Sequence, residues 1–505
     1  MIQNILCYLE ASEKAYPDKP AFSDEHAALT YKELLSLSRR IGSFLGRKTG
    51  PRRPIPVMTE KNAYTLGAFM GIVHAGCFYI YLDAGQPAKR LNRILDTLQA
   101  DIMIADSPSL KEAGPISFAG EILDMGMLLS LGSDAQDPLL LASIRGQAMD
   151  TDPLYGIFTS GSTGAPKGVV VGHRSVIDFM EHFTEMFHIT SRDVIGNQAP
   201  FDFDVSVKDI YSTLKTGASM EIIPKRLFSI PTGLLDYLCG RKITTAIWAV
   251  SALCIITTLN GFTYRVPEHL DKILFSGEVM PVKHLNAWRS HLPGAMFVNL
   301  YGPTEITCNC TYYVVDRDFE PGSPIPIGLP FPNEKVFLLD EDDRLITAPG
   351  TCGELCVSGT ALALGYYRDK EKTGASFVQN PLNQDYPETI YRTGDMAYYG
   401  EDGLLYYHAR RDFQIKHMGH RIELGEIEAA LETVSGVGRA VCIFLEEKNK
   451  IAAFYEGDAD KKMIAAGLEH LLPRYMFPNR YMNLPALPLT KNGKVDRQAL
   501  RRLYG

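Results

Sequence analysis

Short apolar runs alternate with amphipathic stretches over the first four-fifths of the chain. Strand candidates are "CFYIYLD" (77–83), "ADIMIAD" (100–106), "ASMEIIP" (218–224) and "AMFVNLY" (295–301), with helical spacing between them. This alternation restricts the fold more than any other feature. It demands α/β layers around largely parallel sheet. After Gly350 the texture changes: "GELCVSG", "TIYRTGDMAYYGEDGLLYYHA" and "FQIKHMG" are shorter strands with Gly-containing turns, an antiparallel pattern. Beyond the charged cluster Arg410-Arg411-Asp412 a compact unit follows, with helices over 423–433 and 459–472 and strands over 440–445 and 450–455. The 505 residues exceed what one core ordinarily serves. The expected fold is α/β: a large N-terminal domain of α/β layers plus a β-rich subdomain over 1–411, then a small α+β C-terminal domain over 412–505.

Composition narrows the function. A net charge of −8 provides no basic footprint, so nucleic acid is not an expected partner. The opening "MIQNILCYLEASEKAYPDKP" lacks a basic head, and Glu10 and Glu13 interrupt its apolar positions. Ile2, Ile5, Leu6 and Leu9 instead make one helical face that ends before Pro17. Residues 243–259 carry no charge, but 17 residues with four threonines and a serine read as a buried strand running into a helix, not a membrane span. Nine scattered cysteines, with Cys308 and Cys310 lacking a second Cys or His pair nearby, are expected to be reduced thiols of a cytoplasmic protein rather than a zinc site.

One stretch resists the pattern. In "TSGSTGAPKG" (159–168), Ser, Thr and Gly fill seven of ten positions, which would suit a linker. Yet Ile157-Phe158 leads in and Val169-Val170-Val171 leads out. Glycines let backbone N–H groups converge on an anion, hydroxyls add donors and the lysine adds charge, so the decamer reads as a phosphate cradle. It is not the Walker loop, because Lys167 lies between Pro166 and Gly168.

The decamer resembles the phosphate-binding loop of the adenylate-forming (AMP-binding) superfamily. Further stretches resemble that family's motifs in order: "LTYKEL" (29–34), "HAGCFYIYLD" (74–83, with Tyr81 where proline is usual), "NLYGPTE" (299–305), "GELCVSG" (353–359), "YRTGD" (391–395), "ARRDFQIKHMGHRIELGEIE" (409–428) and "LTKNGKVDR" (489–497). The resemblance spans essentially the whole chain. It implies an enzyme in which a carboxylate attacks the α-phosphate of ATP, giving an acyl-AMP and pyrophosphate, and a thiol then takes the acyl group. Bringing two anions together requires fixed donors and Mg²⁺ to offset their charge.

The resemblance also implies roles. Thr159, Ser160, Gly161, Ser162, Thr163, Gly164 and Lys167 would cradle the phosphates, with Glu305 as the Mg²⁺ ligand and Thr304 on the α-phosphate. In "NLYGPTE", Tyr301 and Gly302 would frame the adenine, with Asn299 at its edge. Asp395 would accept both ribose hydroxyls, assisted by Arg410; Ala409 before it replaces the usual glycine. Lys494 would be the catalytic lysine, bridging the attacking carboxylate and the α-phosphate. Asp412 would be a hinge about which the small domain rotates, withdrawing Lys494 and presenting the loop at Gly419 to the thiol.

"QAPFDFDVSVKDIY" (198–211) bears on the substrate. Amino-acid-activating members of the family carry an aspartate in an F-D-x-S pattern, matched here by Asp204. A buried anion is costly unless paired, and a substrate α-ammonium would pair it; Lys208 is the competing protein cation. The closest resemblance is to D-alanine–D-alanyl carrier protein ligases. It implies a separate phosphopantetheinylated carrier protein as partner and no stable membrane insertion. Other readings are a stand-alone peptide-synthetase adenylation enzyme for another amino acid, acidic or otherwise, or an acyl-CoA synthetase, which would not need Asp204. By family alignment the side-chain pocket is Val205, Lys208, Ala249, Leu274, Ser276, Leu300, Cys308 and Asn309. Those ligases carry cysteine in place of Ser276 and methionine in place of Lys208. Lys208 either reaches a substrate carboxylate or lines the pocket with its stem and turns its head outward.

Overall fold

The computed structural model describes residues 2–161, 166–411, 414–445, 448–489 and 495–504. Two large sheets dominate the first part of the chain. In one, six parallel strands run in the order Met296–Tyr301, Lys272–Ser276, Thr245–Ala249, Val194–Asn197, Ser219–Ile222, Pro20–Ser23. Antiparallel strands close both edges, Thr311–Val314 with Leu329–Pro330 on one side and Ala28–Thr30 on the other. In the second sheet, Glu121–Asp124, Ile102–Ala105, Pro54–Met58, Phe78–Tyr81 and Pro153–Thr159 are parallel, and Lys167–Gly172 returns antiparallel. The alternation expected from the sequence is therefore present, strand for strand.

Parallel strands are covered on both faces and so read as continuous apolar runs. "TAIWA" is buried at all five positions, and so is "PIPVM". The uncharged stretch 243–259 is the strand Thr245–Ala249 running directly into the helix Val250–Thr258. Among the described residues no helix is long and apolar enough to cross a membrane. Of the N-terminal apolar face, Leu6 and Leu9 lie on the helix Leu6–Ala15, whereas Ile5 caps it and Ile2 precedes it. The helix Tyr31–Gly46 starts where a capping box places it: Thr30 accepts from the Glu33 N–H, and the Glu33 carboxylate accepts from the Thr30 N–H.

The change of texture corresponds to an antiparallel sheet. It starts at Glu334–Leu339, a little before Gly350, and continues through Gly353–Gly359, Thr389–Tyr399 and Leu405–Arg410. From Gln414 onward the chain builds around its own small sheet, Val437–Leu445, Lys450–Gly457 and Arg480–Asn483. Strand alternation divides this sheet into two apolar faces. Cys442, Ala453 and Tyr455 pack with the helices Leu424–Glu432 and Lys461–Glu469 and with Ile415 and Ile422. Val441, Ile443 and Phe454 pack with Leu487 and Leu500 of the chain's tail. The hairpin Gln414–His417/His420–Glu423 thus belongs to one face and the tail to the other. Asp412 itself lies outside the described residues.

Candidate active site

The decamer begins at the end of one strand and ends inside its partner. Thr159 ends one strand, Lys167 opens the next, and the two are antiparallel partners. Ser162, Thr163 and Gly164 lie outside the described residues. Ser160 and Gly161 are buried, and the Ser160 hydroxyl donates to the Arg421 carbonyl at 2.7 Å. The Thr159 hydroxyl is buried without a hydrogen-bond partner among the described residues.

Lys167 reaches the second motif. After the strand Met296–Tyr301, the chain turns through Gly302 and Pro303 into a short 3₁₀ turn, Thr304–Ile306. Gly302 is needed there, since a Cβ would lie 2.5 Å from the Asn309 Cα. Glu305 is fully buried. Its Oε1 accepts from Lys167 Nζ at 3.0 Å and from the Tyr366 hydroxyl at 2.7 Å, and its Oε2 from Arg421 at 2.6 Å. Burial alone would raise this carboxyl, yet the Arg421 guanidinium and the Lys167 ammonium hold it well below the usual carboxylate range. Burial lowers Lys167 to about 8, assisted by Arg421 and opposed by Glu305.

Arg421 comes from the hairpin of the small unit. That hairpin closes over the large sheets at several points. The Gly419 N–H donates to the Glu278 carboxylate, and the Lys416 ammonium lies 5.2 Å from the centre of the Tyr301 ring. Gly419 has φ +80°, and a Cβ there would meet Ala249 at 3.2 Å. One turn further, Glu426 pairs with Arg90 at 2.5 Å, both side chains buried.

Beside the tyrosine lies a second buried carboxylate. Asp395 accepts from the Tyr301 hydroxyl at 2.5 Å and from Arg410 at 2.9 Å. Asn299 donates to the Pro326 carbonyl at 2.8 Å. These residues converge, as the motifs imply, although Asp395 and Tyr301 meet each other directly.

The residues expected to line the side-chain pocket gather where the parallel strands end at their carboxyl edge, the place where open α/β sheets bind ligands. Ala249 and Ser276 are register partners there, and Leu274 and Leu300 lie on the neighbouring strand positions. Asp204 immediately precedes the helix Val205–Thr216 and makes no capping hydrogen bond. Cys308 Sγ lies 3.2 Å from the Asp204 carbonyl and ties the two segments together. Thr307 and Cys308 have φ of 50° and 75°, a conformation non-glycine residues seldom adopt and that clusters at functional sites. Val205, Lys208, Cys308 and Asn309 are all buried. Burial pushes the Asp204 carboxyl up, and Thr304 and Lys208 counter it only in part. Among the described residues no cation lies within ion-pairing distance of Asp204.

A model of the AMP-binding enzyme family matches residues 9–367. The chain belongs to that family. This AMP-binding enzyme is 34% identical over 96% of its length to tyrocidine synthase 3 of Brevibacillus parabrevis, of which it spans only 7%. It is 32% identical to the D-alanine–D-alanyl carrier protein ligase of Staphylococcus haemolyticus, with 95% of each chain covered. The solved structure of PA1221, an NRPS protein containing adenylation and PCP domains, shares the fold with a TM-score of 0.82 at 24% identity, over 99% of this chain and 84% of that one.

Sequence reasoning left Arg421, Lys416, Tyr366 and Glu278 unassigned. Arg421 and Lys416 lie within the quoted stretch 409–428 and Glu278 within "FSGEVMPV" (275–282), so a motif signal existed for these three, whereas Tyr366 carried none. Lys494 lies outside the described residues. Its neighbours Leu489 and Val495 bridge each other, and Arg497 pairs with Glu428 at 2.9 Å, within the small unit.

Proposed function

We propose that this enzyme activates an amino acid as its aminoacyl-AMP and transfers it to the phosphopantetheine thiol of a separate carrier protein in the cytoplasm. One observation carries the amino-acid part: Asp204 is a buried carboxylate at the strand ends with no cation within 4 Å among the described residues. A substrate α-ammonium supplies the missing counter-charge. The carrier partner is supported by the named relative that charges a carrier protein and matches over nearly its full length.

The chain's own groups divide the work. Thr159, Ser160 and Lys167 stand at the strand turn where the phosphates of ATP would be held, and the unpartnered Thr159 hydroxyl fits an acceptor there. Asp395 and Arg410 lie beside the Tyr301 ring, suited to a ribose and its base. Mg²⁺ is the expected companion of ATP. As arranged, Lys167, Tyr366 and Arg421 fill three of the roughly four lone-pair positions of Glu305, and two of them are cations, so the ion competes with them there while the hairpin is docked.

Residues 1–411 and 412–505 are then two domains, with Asp412 as the hinge between them. The hairpin with Gly419 and the tail residues Leu487 and Leu500 belong to opposite faces of the small sheet, which suits the two segments to alternate at one site. The test is amino-acid-dependent ATP–pyrophosphate exchange, followed by loading of a phosphopantetheinylated carrier. Exchange is expected with at least one amino acid. Lys494→Ala is expected to reduce it by ~10³-fold or more while ATP binding persists. Exchange that survives this change removes Lys494 from the mechanism. Transfer to free coenzyme A in preference to any carrier would favour an acyl-CoA synthetase.

A further inference from the structure

Lys208 lies four residues after Asp204, so the two side chains leave the same face of the helix, about 6 Å apart along its axis. The residue is fully buried. Its ammonium therefore does not turn out to water. It donates to Asn309 Oδ1 at 2.7 Å and lies 3.3 Å from Ser276 Oγ, both on the pocket wall. Both partners are neutral. Among the described residues no carboxylate oxygen lies within 4 Å of the ammonium. The neighbouring Asp209 acts on Lys208 only through space and forms no ion pair with it, its Oδ2 accepting from Asn197 at 2.6 Å.

An ammonium has three donors and a full charge, and two neutral oxygens satisfy only part of that. Burying it without a counter-ion costs several kcal/mol. The surroundings are also held in place. Asn309 follows the two positive-φ residues Thr307 and Cys308, and its Cα packs against Gly302 too closely for any side chain there. A chain that spends backbone strain to aim one amide at one lysine is positioning a charge.

We infer that the amino acid taken by this enzyme is acidic: its α-ammonium meets Asp204 and its side-chain carboxylate meets Lys208. The inference rests on the amino-acid reading above. Each buried charge of the pocket then finds its opposite on the substrate. Alanine would satisfy Asp204 and leave Lys208 unpaired, and the amide isosteres of the acidic residues would offer no charge.

The test is ATP–pyrophosphate exchange by the full chain with the L and D forms of aspartate, glutamate, asparagine, glutamine and alanine. One acidic amino acid is expected to exceed its own amide by ~100-fold or more in kcat/KM, as a site built around a polar group rejects analogues lacking it. The L and D arms identify the configuration. Lys208→Met, which keeps the length of the stem, is expected to remove most of that ratio and to raise the relative rate with neutral amino acids. The wild-type panel stands by itself should the variant fold poorly. Best exchange with alanine or another neutral residue overturns the acidic assignment and leaves amino-acid activation intact. Exchange with none of a full amino-acid set overturns both.

Discussion

Glu305 and Asp204 are buried carboxylates of the proposed active site, and the protein treats them in opposite ways. Glu305 has two cations and a tyrosine hydroxyl on its oxygens and is held strongly ionised. Asp204 has no cation within 4 Å among the described residues and is pushed toward its neutral form. Fully compensated charge belongs to the resting architecture, here the closure of the hairpin onto the large sheets. Uncompensated charge is a vacancy in the electrostatics that a ligand fills. Lys208 belongs to the second kind, with the sign reversed. In the proposed site the charges at the nucleotide end are therefore paired in the docked arrangement, while those at the substrate end await an amino acid.

The largest effect expected from breaking this contrast is at Asp204. Asp204→Asn should lower amino-acid-dependent exchange by ~10³-fold, the scale of removing one partner from a buried charge pair. Nucleotide binding, followed with a fluorescent ATP analogue, should stay within a few-fold. Undiminished exchange would show that the α-ammonium is bound elsewhere.

At the nucleotide end the loss should appear in stability. Glu305→Gln leaves Lys167 and Arg421 buried without their anion and should cost about 3–5 kcal/mol in urea unfolding. Arg421→Met leaves Glu305 paired to Lys167 and should cost less, about 1–3 kcal/mol. The same change should speed hydrogen exchange across the hairpin 414–423. Equal costs for the two variants would mean that the pairs are not coupled through Glu305.

The smallest effect is in pH dependence. Asp209 is raised to about 7 by burial, against an ordinary value of 3.8, with the Asn197 hydrogen bond and the Lys208 and Lys61 charges opposing. Over that window the native state binds more protons than the unfolded chain, so the contribution of Asp209 to stability falls as pH rises from about 4 to 7. Glu305, held low, has the opposite sign: its contribution is complete above its ordinary value of 4.5 and is lost as pH falls below it. The stability of wild type minus Asp209→Asn should therefore decline between pH 4 and 7. A flat difference would place the Asp209 carboxyl at its ordinary value.

Much of this was readable from residue order alone. Strand-helix alternation, the late antiparallel region and the compact last unit follow from local periodicity, because burial on one or two faces writes itself into every second or every third-to-fourth residue. The decamer was legible as a turn between strands, and Thr159 stands opposite Lys167 in register. The motif residues Glu305, Tyr301, Asp395 and Asp204 were legible as chemistry through their resemblance to a family. Their partners were not. Arg421 meets Glu305 across 116 positions, and Asn309 meets Lys208 across 101. No local pattern encodes such a meeting. Whether Lys208 turns inward or outward was undecidable from its helix position, since the stem of a lysine allows both. Packing of the strand ends and the turn after Gly302 decided it, by closing the route to solvent and placing one amide oxygen beside the ammonium. Sequence by itself determined the fold class and named the groups of the proposed site; tertiary structure decided which charges are already paired, because pairing depends on distance in space and not along the chain.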